Sequence, residues 1–316
     1  MNALRFVVGR LVGLVVTLLI VSFLVYGALF LAPGSPIAYL TRGRTTSAED
    51  VAAIQAQYHL DKPFLQQYWL WLEGALHGDL GRSIIYRQDV TTLLGERAVN
   101  TCYLVVAAAF VILVVGLPLG VLAGLRPGWL DRGILLGATG AMAVPAFVAA
   151  VALVSVFAVQ LKWFPVFGQG QGPGARIYHL VLPAVALALS FGAYVARLTR
   201  AAVRAELTSE HVQTAESRGI PRAALIRRHV LRNASIPIVT VSGLTVGGLI
   251  AGAVVVEQAF QLNGLGSYLI AAVGQKDFPI VQAITLIFVS AFVVINTAVD
   301  LTYVRLDPRL RLGANR

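Results

Sequence analysis

Long apolar runs alternate with short polar joints along this chain. Six runs reach the roughly twenty residues that about 30 Å of hydrocarbon requires of a helix. They cover 8 to 32, 99 to 125, 134 to 161, 179 to 203, 236 to 258 and 281 to 304. The pattern predicts an all-α, polytopic membrane protein. Pro118, Pro145 and Pro183 fall within or near these runs, where each removes a backbone donor and is expected to bend its helix.

The joints differ in charge. Arg5 and Arg10 precede the first run, Arg126 and Arg132 occupy the second joint, Arg197 through Arg232 crowd the fourth, and Arg305, Arg309, Arg311 and Arg316 end the chain. With six spans all four groups share one side, and their arginine excess makes that side cytoplasmic, with both termini on it. The largest joint on the other side, 33 to 98, balances its charges. Arg42, Arg44, Lys62, Arg82, Arg87 and Arg97 face Glu49, Asp50, Asp61, Glu73, Asp79, Asp89 and Glu96. It reads as an ordered, helical external subdomain. Ser47 with Asp50 makes a capping box ahead of Val51, Ile54 and Tyr58, and "LDKP" opens a second helix carrying Phe64, Tyr68, Trp69, Leu72 and Leu76. Both helices are expected to cover the outer mouth, with Trp69, Asp79, Arg82 and Glu257 as candidate contacts for an external partner. "FGQGQGPGAR", 167 to 176, reads as an irregular turn.

The organisation expected is therefore a tail and first span (1–32), an external subdomain (33–98), a membrane core of five spans (99–304) that includes a cytoplasmic region at 205–235, and a tail (305–316).

Composition agrees with a membrane protein: 57% hydrophobic, 13% charged and a mean hydropathy of +0.76, against about 25% charged in soluble domains. The net charge of +10 sits beside the apolar runs, so orientation in a bilayer accounts for it without nucleic acid. Leu11 to Ala32 is too long for a signal-peptide core and is read as a retained anchor. Cys102 stands alone, which excludes an internal disulfide or a cysteine metal cluster.

Catalytic patterns do not appear. His59, His77, His179, His211 and His229 are scattered, and there is no H-E-x-x-H, G-x-S-x-G or C-x-x-C. "GLTVGGLIAGA", 243 to 253, lacks the lysine of a phosphate-binding loop and suits close helix packing instead. Glu257 and Asp300 lie near run ends, which argues against an ion-coupled carrier with acids deep in the membrane. No catalytic residue, cofactor or metal is expected in this chain.

"EHVQTAESRGIPRAALIRRHVLRN", 210 to 233, stands out in the fourth joint. Glu210 begins a short helix that Thr208 or Ser209 can cap, Gly219 suits the left-handed residue that ends it, and Pro221 suits the first turn of a second helix reaching about Asn233. Ala215 and Ser217 are small enough for another protein to approach closely. The pattern is a docking hairpin.

These residues resemble the signature of permease subunits of binding-protein-dependent ATP-binding-cassette importers: E-A-A, three residues, G, then nine residues before I-x-L-P. The match falls on Ala215, Gly219, His229 and Leu231, with Gln213, Thr214 and Arg232 as departures. Further matches point to the first-type subunit of the dipeptide, oligopeptide and nickel branch. "LAPGSP" (31–36), "LDKPFLQQYWLWLEGALHGDLGRS" (60–83), "EQAFQLNGLG" (257–266), "KDFP" (276–279) and "LDPRLR" (306–311) follow in the family's order, with Ser35, Asp89 and Asn263 departing from it.

The resemblance implies a type I importer permease fold with a coupling helix at Thr214, Ala215, Glu216, Ser217, Arg218, Gly219, Ile220 and Pro221. It implies a homologous second permease, two cytoplasmic ATPase subunits holding ATP and Mg, and an external solute-binding protein. Short peptides are the expected substrate, with nickel complexes, glutathione or opines as alternatives.

Overall fold

The computed structural model describes residues 3–31, 49, 52 and 61–306. The expected capping box at Ser47 and Asp50, its helix through Tyr58, the 31–36 motif beyond Leu31, the Asp300 side chain and the tail beyond Leu306 lie outside that description. Among the described residues the fold is helical, with an isolated bridge between Arg82 and Asp89.

Helix α1 (Ala3–Phe30) lies at the edge of the bundle, packed on the last helix and on α2 (Phe64–Leu76). The aromatic stripe of α2 covers α1: Phe64 meets Phe23, Tyr26 and Phe30 at centroid distances of 5.6, 5.7 and 4.9 Å. The Tyr68 hydroxyl lies 2.9 Å from Ser22 Oγ.

Helix α3 runs from Val90 to Leu125, starting nine residues before the apolar run at 99. Those early turns belong to the bundle rather than to a free external subdomain, because Val90 and Leu94 are buried against Leu265, Tyr268, Ile280 and Ile284. Pro118 does not break α3. A π-helical turn at Ile112–Gly116 precedes it, with the Leu117 amide donating to Ile112 O, and this wider turn absorbs the donor that proline lacks.

Pro145 acts differently. It divides the third apolar run into α4 (Trp129–Ala143) and α5 (Ala146–Gln160), which meet at 102°. Proline disfavours the helical region for the residue before it, and Val144 is extended at φ −86° and ψ 117°. This run is broken at Pro145 rather than gently bent.

Helix α6 (Pro173–Leu207) is the centre of the molecule and keeps Pro183 buried inside it. It packs against α3, α4, α5 and α8 (Arg222–Ala259). Gly116, Gly120 and Gly124 recur every fourth residue and face α6. A Cβ at Gly120 would lie 2.5 Å from Ala196 O and 2.7 Å from Thr199 Cβ, so the two backbones meet directly. Gly243 and Gly247 of α8 face Val299 and Phe292 of α10 (Phe278–Leu306), while Gly248 and Gly252 face Phe191 of α6.

Two further elements complete the path. The hairpin helix α7 (Glu210–Ser217) joins α6 to α8, and a short apolar helix, α9 (Leu265–Gln275), sits at the opposite end of the bundle. At 11 residues α9 is too short to span. The apolar-run pattern does not single it out.

Candidate functional site

The hairpin is built by a chain reversal that only the residues after Ser217 permit. Gly219 sits at φ +78°, its amide donates to Glu216 O at 2.9 Å, and the Ile220 amide donates to Ala215 O at 3.3 Å. This pair of bonds with a left-handed glycine is the Schellman ending of a helix. Val212 and Ala215 are buried with Val203, Leu225, Val230, Ala234 and Ile238, and Ile220 packs against the same cluster.

The expected contact surface is therefore divided. Thr214, Glu216, Ser217, Arg218, Gly219 and Pro221 are exposed, whereas Ala215 is 6% exposed and faces the chain's own core. Ala215 is small because α7 lies close on the bundle, not to admit a partner.

Two local expectations are corrected. Neither Thr208 nor Ser209 caps α7 with its side chain; the Ser209 hydroxyl donates backward to Glu206 O at 2.6 Å, so its lone pairs do not reach the first amides. The second hairpin helix does not end near Asn233. It begins at Arg222, passes through a π turn at Ile226–Val230 and continues as α8, so the span expected at 236 is 14 residues longer at this end. The apolar face of Leu225, Val230 and Ala234 runs unbroken into the span and leaves no joint. Glu206, His211 and Asn233 tie the legs together: Asn233 Nδ2 donates to Glu206 Oε1 at 3.0 Å, and His211 Nε2 lies 2.8 Å from the same oxygen.

One ionic cluster near the hairpin, with a buried carboxylate and partly exposed arginines, carried no signal in the sequence beyond an acid in an arginine-rich joint. Asp131, in the first turn of α4, receives the Nε and Nη2 hydrogens of Arg200 and the Nη2 hydrogen of Arg204, the last at 2.7 Å.

At the opposite end two carboxylates organise the backbone. Glu257 is 1% exposed and cannot meet a partner protein. It accepts from Thr101 Oγ1 at 2.6 Å and from the amides of Gly266 and Ser267 at 2.7 and 3.0 Å, which makes it the cap of α9. Thr101 Oγ1 in turn accepts from the Leu265 amide at 2.8 Å.

Asp277, within "KDFP", is fully buried and holds the loop after α2: Ser83 Oγ donates to it at 2.5 Å, and the amides of Ile84 and Ile85 at 3.1 and 3.3 Å. Arg97 donates to Asn263 Oδ1 and stands over the Tyr268 ring at 3.9 Å. The Tyr268 hydroxyl is held well up, at about 12, by burial. Trp69, Asp79 and Arg82 are exposed and are not gathered around Glu257. The Asp79 carboxylate accepts from the Gly81 amide, and Arg82 Nε donates to Arg87 O.

Midway between the ends, a cavity of about 280 Å³, open along much of its rim, lies beside the helix break and is lined by Met142, Ser190, Phe191, Tyr194, Leu244 and Thr245. Ser190 Oγ donates to the carbonyls of Ala141 and Val144 at 3.3 and 2.9 Å, adding to the Val144 amide that already reaches Ala141 O at 3.4 Å.

A bundle of apolar spans, a broken helix beside a mid-depth cavity and an exposed hairpin fit a transport permease. Residues 116–312 match the family described as "Binding-protein-dependent transport system inner membrane component", and residues 3–92 match its N-terminal counterpart. The chain belongs to this family: it is a multi-pass inner-membrane permease subunit of a type I ATP-binding-cassette importer, and ATP hydrolysis resides on separate subunits.

Among its relatives, the glutathione transport system permease protein GsiC of Escherichia coli O6:H1 is 35% identical over 309 residues, 98% of this chain and 99% of its own. That of Pectobacterium atrosepticum is 36% identical over 310 residues, again 98% and 99%. The fold is similar to a chain of the inward-facing MetNI methionine ABC transporter, with TM-score 0.57 and 18% identity over 69% of this chain and 97% of that one. A chain of an amino acid ABC transporter gives TM-score 0.53 and 18% identity over 68% and 94%.

Proposed function

We propose that this chain forms half of a translocation pathway for short peptides, paired with a homologous second permease, fed by an external solute-binding protein and driven by two ATPase subunits that hold ATP and Mg. The arginine-rich hairpin end is cytoplasmic, with both termini, because its basic residues belong beside the anionic leaflet. One observation carries the reading: Thr214, Glu216, Ser217, Arg218, Gly219 and Pro221 stand exposed on a hairpin whose other face is locked into the bundle. A handle of this kind transmits force only if it is rigid relative to the spans that it must move. Closure of the ATPases on ATP draws the hairpins together and turns the pathway outward, and hydrolysis resets it; ATP thereby favours one arrangement of the docked helices over another. The short-peptide reading draws on relatives named for glutathione, itself a tripeptide. The loop at 77–89, clamped by Asp277, and the exposed Trp69, Asp79 and Arg82 serve as the face toward the binding protein.

The test is Gly219→Val in the assembled transporter. A side chain in the left-handed region costs about 1–2 kcal/mol, which distorts the hairpin tip without touching the spans. Uptake should fall by about tenfold or more while ATP hydrolysis persists and the chain stays in the membrane. Normal uptake would refute the assignment of this hairpin.

A further inference from the structure

We propose that Asp131 is a positioning residue for transport: held by Arg200 and Arg204, it makes α4 move as one body with α6 and so carries hairpin displacement to the cavity at the helix break. The proposal rests on the reading of the hairpin as the ATPase contact.

Helix α4 is gripped by α6 at both ends. At its start the Asp131 carboxylate receives three hydrogens from two guanidinium groups, two of them from Arg200 Nε and Nη2. A forked pair of this kind fixes orientation as well as separation. At its end, Ser190 bonds the carbonyls of Ala141 and Val144. With a rise of 1.5 Å per residue, the two grips stand about 15 Å apart along α4. One attachment would allow α4 to pivot; two prevent both pivoting and sliding.

Their placement relative to the hairpin and the cavity gives the grips a mechanical meaning. Arg200 and Arg204 lie in the last turns of α6 before Leu207, where the chain leaves for the hairpin. Ser190, at the far grip, lines the cavity with Met142 from α4, while Leu244 and Thr245 come from α8, the hairpin's other leg. The two legs thus bound the cavity, and any change in their spacing changes its shape. Because α4 contributes a wall of its own, it must follow α6 for that change to be transmitted.

A fold staple alone would be served by an apolar contact, since ion pairs whose arginines stay partly exposed contribute little to stability. Two arginines on one carboxylate leave a positive charge in excess, so neutralisation does not explain the cluster either. Orientation of α4 does.

The experiment reconstitutes the complete transporter, with both permeases, the ATPases and the binding protein, and compares wild type with Asp131→Asn and Asp131→Glu. Uptake of a radiolabelled tripeptide and ATP hydrolysis are measured together, alongside recovery of the ATPases with the purified complex. Asp131→Asn should lower uptake per ATP hydrolysed by about tenfold with hydrolysis within about twofold of wild type, and Asp131→Glu should restore the ratio to within about threefold. An unchanged ratio in Asp131→Asn overturns the proposal. So does a parallel loss of uptake, hydrolysis and assembly that Asp131→Glu repairs without separating the three, which would make the cluster a staple only.

A second readout is independent of the substrate. In a Cys102→Ser background, spin labels at exposed Leu136 on α4 and exposed Val255 on α8 should report an ATP-dependent distance change that Asp131→Asn abolishes. If the wild-type complex shows the label shift but no tripeptide uptake, the substrate reading fails and the labels still decide the role of Asp131. If ATP moves no label in wild type, the hairpin reading and this proposal fall together.

Discussion

Replacing Glu257 tests whether a buried carboxylate holds one end of the bundle in register. Its oxygens receive Thr101 Oγ1, Gly266 N and Ser267 N at 2.6, 2.7 and 3.0 Å, and 1% of the residue is exposed. Hydrogen bonds to a charged group contribute about 1.5–3 kcal/mol each, but they share one acceptor and do not add in full. The charge also faces the amino end of α9, an interaction of about 0.3–1 kcal/mol or somewhat more when shielded from water. Glu257→Ala strands two backbone amides where little water reaches them. At about 1–3 kcal/mol for each stranded amide, with incomplete additivity, a net local loss of about 3–5 kcal/mol follows.

Glu257→Gln keeps the shape and one acceptor oxygen while turning a second position into a donor that faces amides, so about half that loss is expected. Hydrogen exchange at Gly266 and Ser267 in nanodiscs reads the quantity directly. A loss of 3 kcal/mol corresponds to exchange faster by about 150-fold, and the glutamine variant should fall between wild type and alanine. If both variants left exchange at these two amides within about threefold of wild type, the capping role of Glu257 would be refuted.

Two further outcomes follow from the packing. Gly120→Ala places a methyl group 2.5 Å from Ala196 O, and overpacking of about 1–3 kcal/mol should lower the melting temperature by several degrees, whereas Gly137→Ala, in a helix with nothing within 4 Å, should not lower it in the same fluorescence-detected thermal assay. The Tyr268 phenol, raised from 10.0 to about 12 by burial, is neutral in the folded protein; its contribution is complete below pH 10 and is lost as pH rises through about 12. In a spectrophotometric titration Tyr268→Phe should remove one late-forming phenolate. Its hydroxyl lacks a hydrogen-bond partner, so the variant should be no less stable at pH 7.

How far the sites could be read in advance depended on sequence distance. The hairpin was legible because its chemistry is local: Gly219 and Pro221 determine a reversal within a few residues. Which side of α7 meets the bundle was not, since Ala215 is small on either reading and its burial depends on Val203 and Ala234 arriving from two other helices. The clamp on Asp131 joins residues 69 and 73 apart, and the bonds to Glu257 and Asp277 span 156 and 194. No spacing rule reaches that far. The recurrence of glycine every fourth residue at Gly116, Gly120 and Gly124 is a usable signal for close packing, although it does not name α6 as the partner.

The amino-acid sequence alone determined that this chain lives in a bilayer and where most of its spans lie, because hydrocarbon thickness and the need to satisfy every backbone group act on each segment separately. It also determined that a glycine-ended helix protrudes from the arginine-rich end. The tertiary structure decided which proline breaks a span, which carboxylates become anchors and which hairpin residues remain exposed. Those outcomes depend on what the other helices place within 3–4 Å, and a linear pattern of polar and apolar residues carries no record of such neighbours.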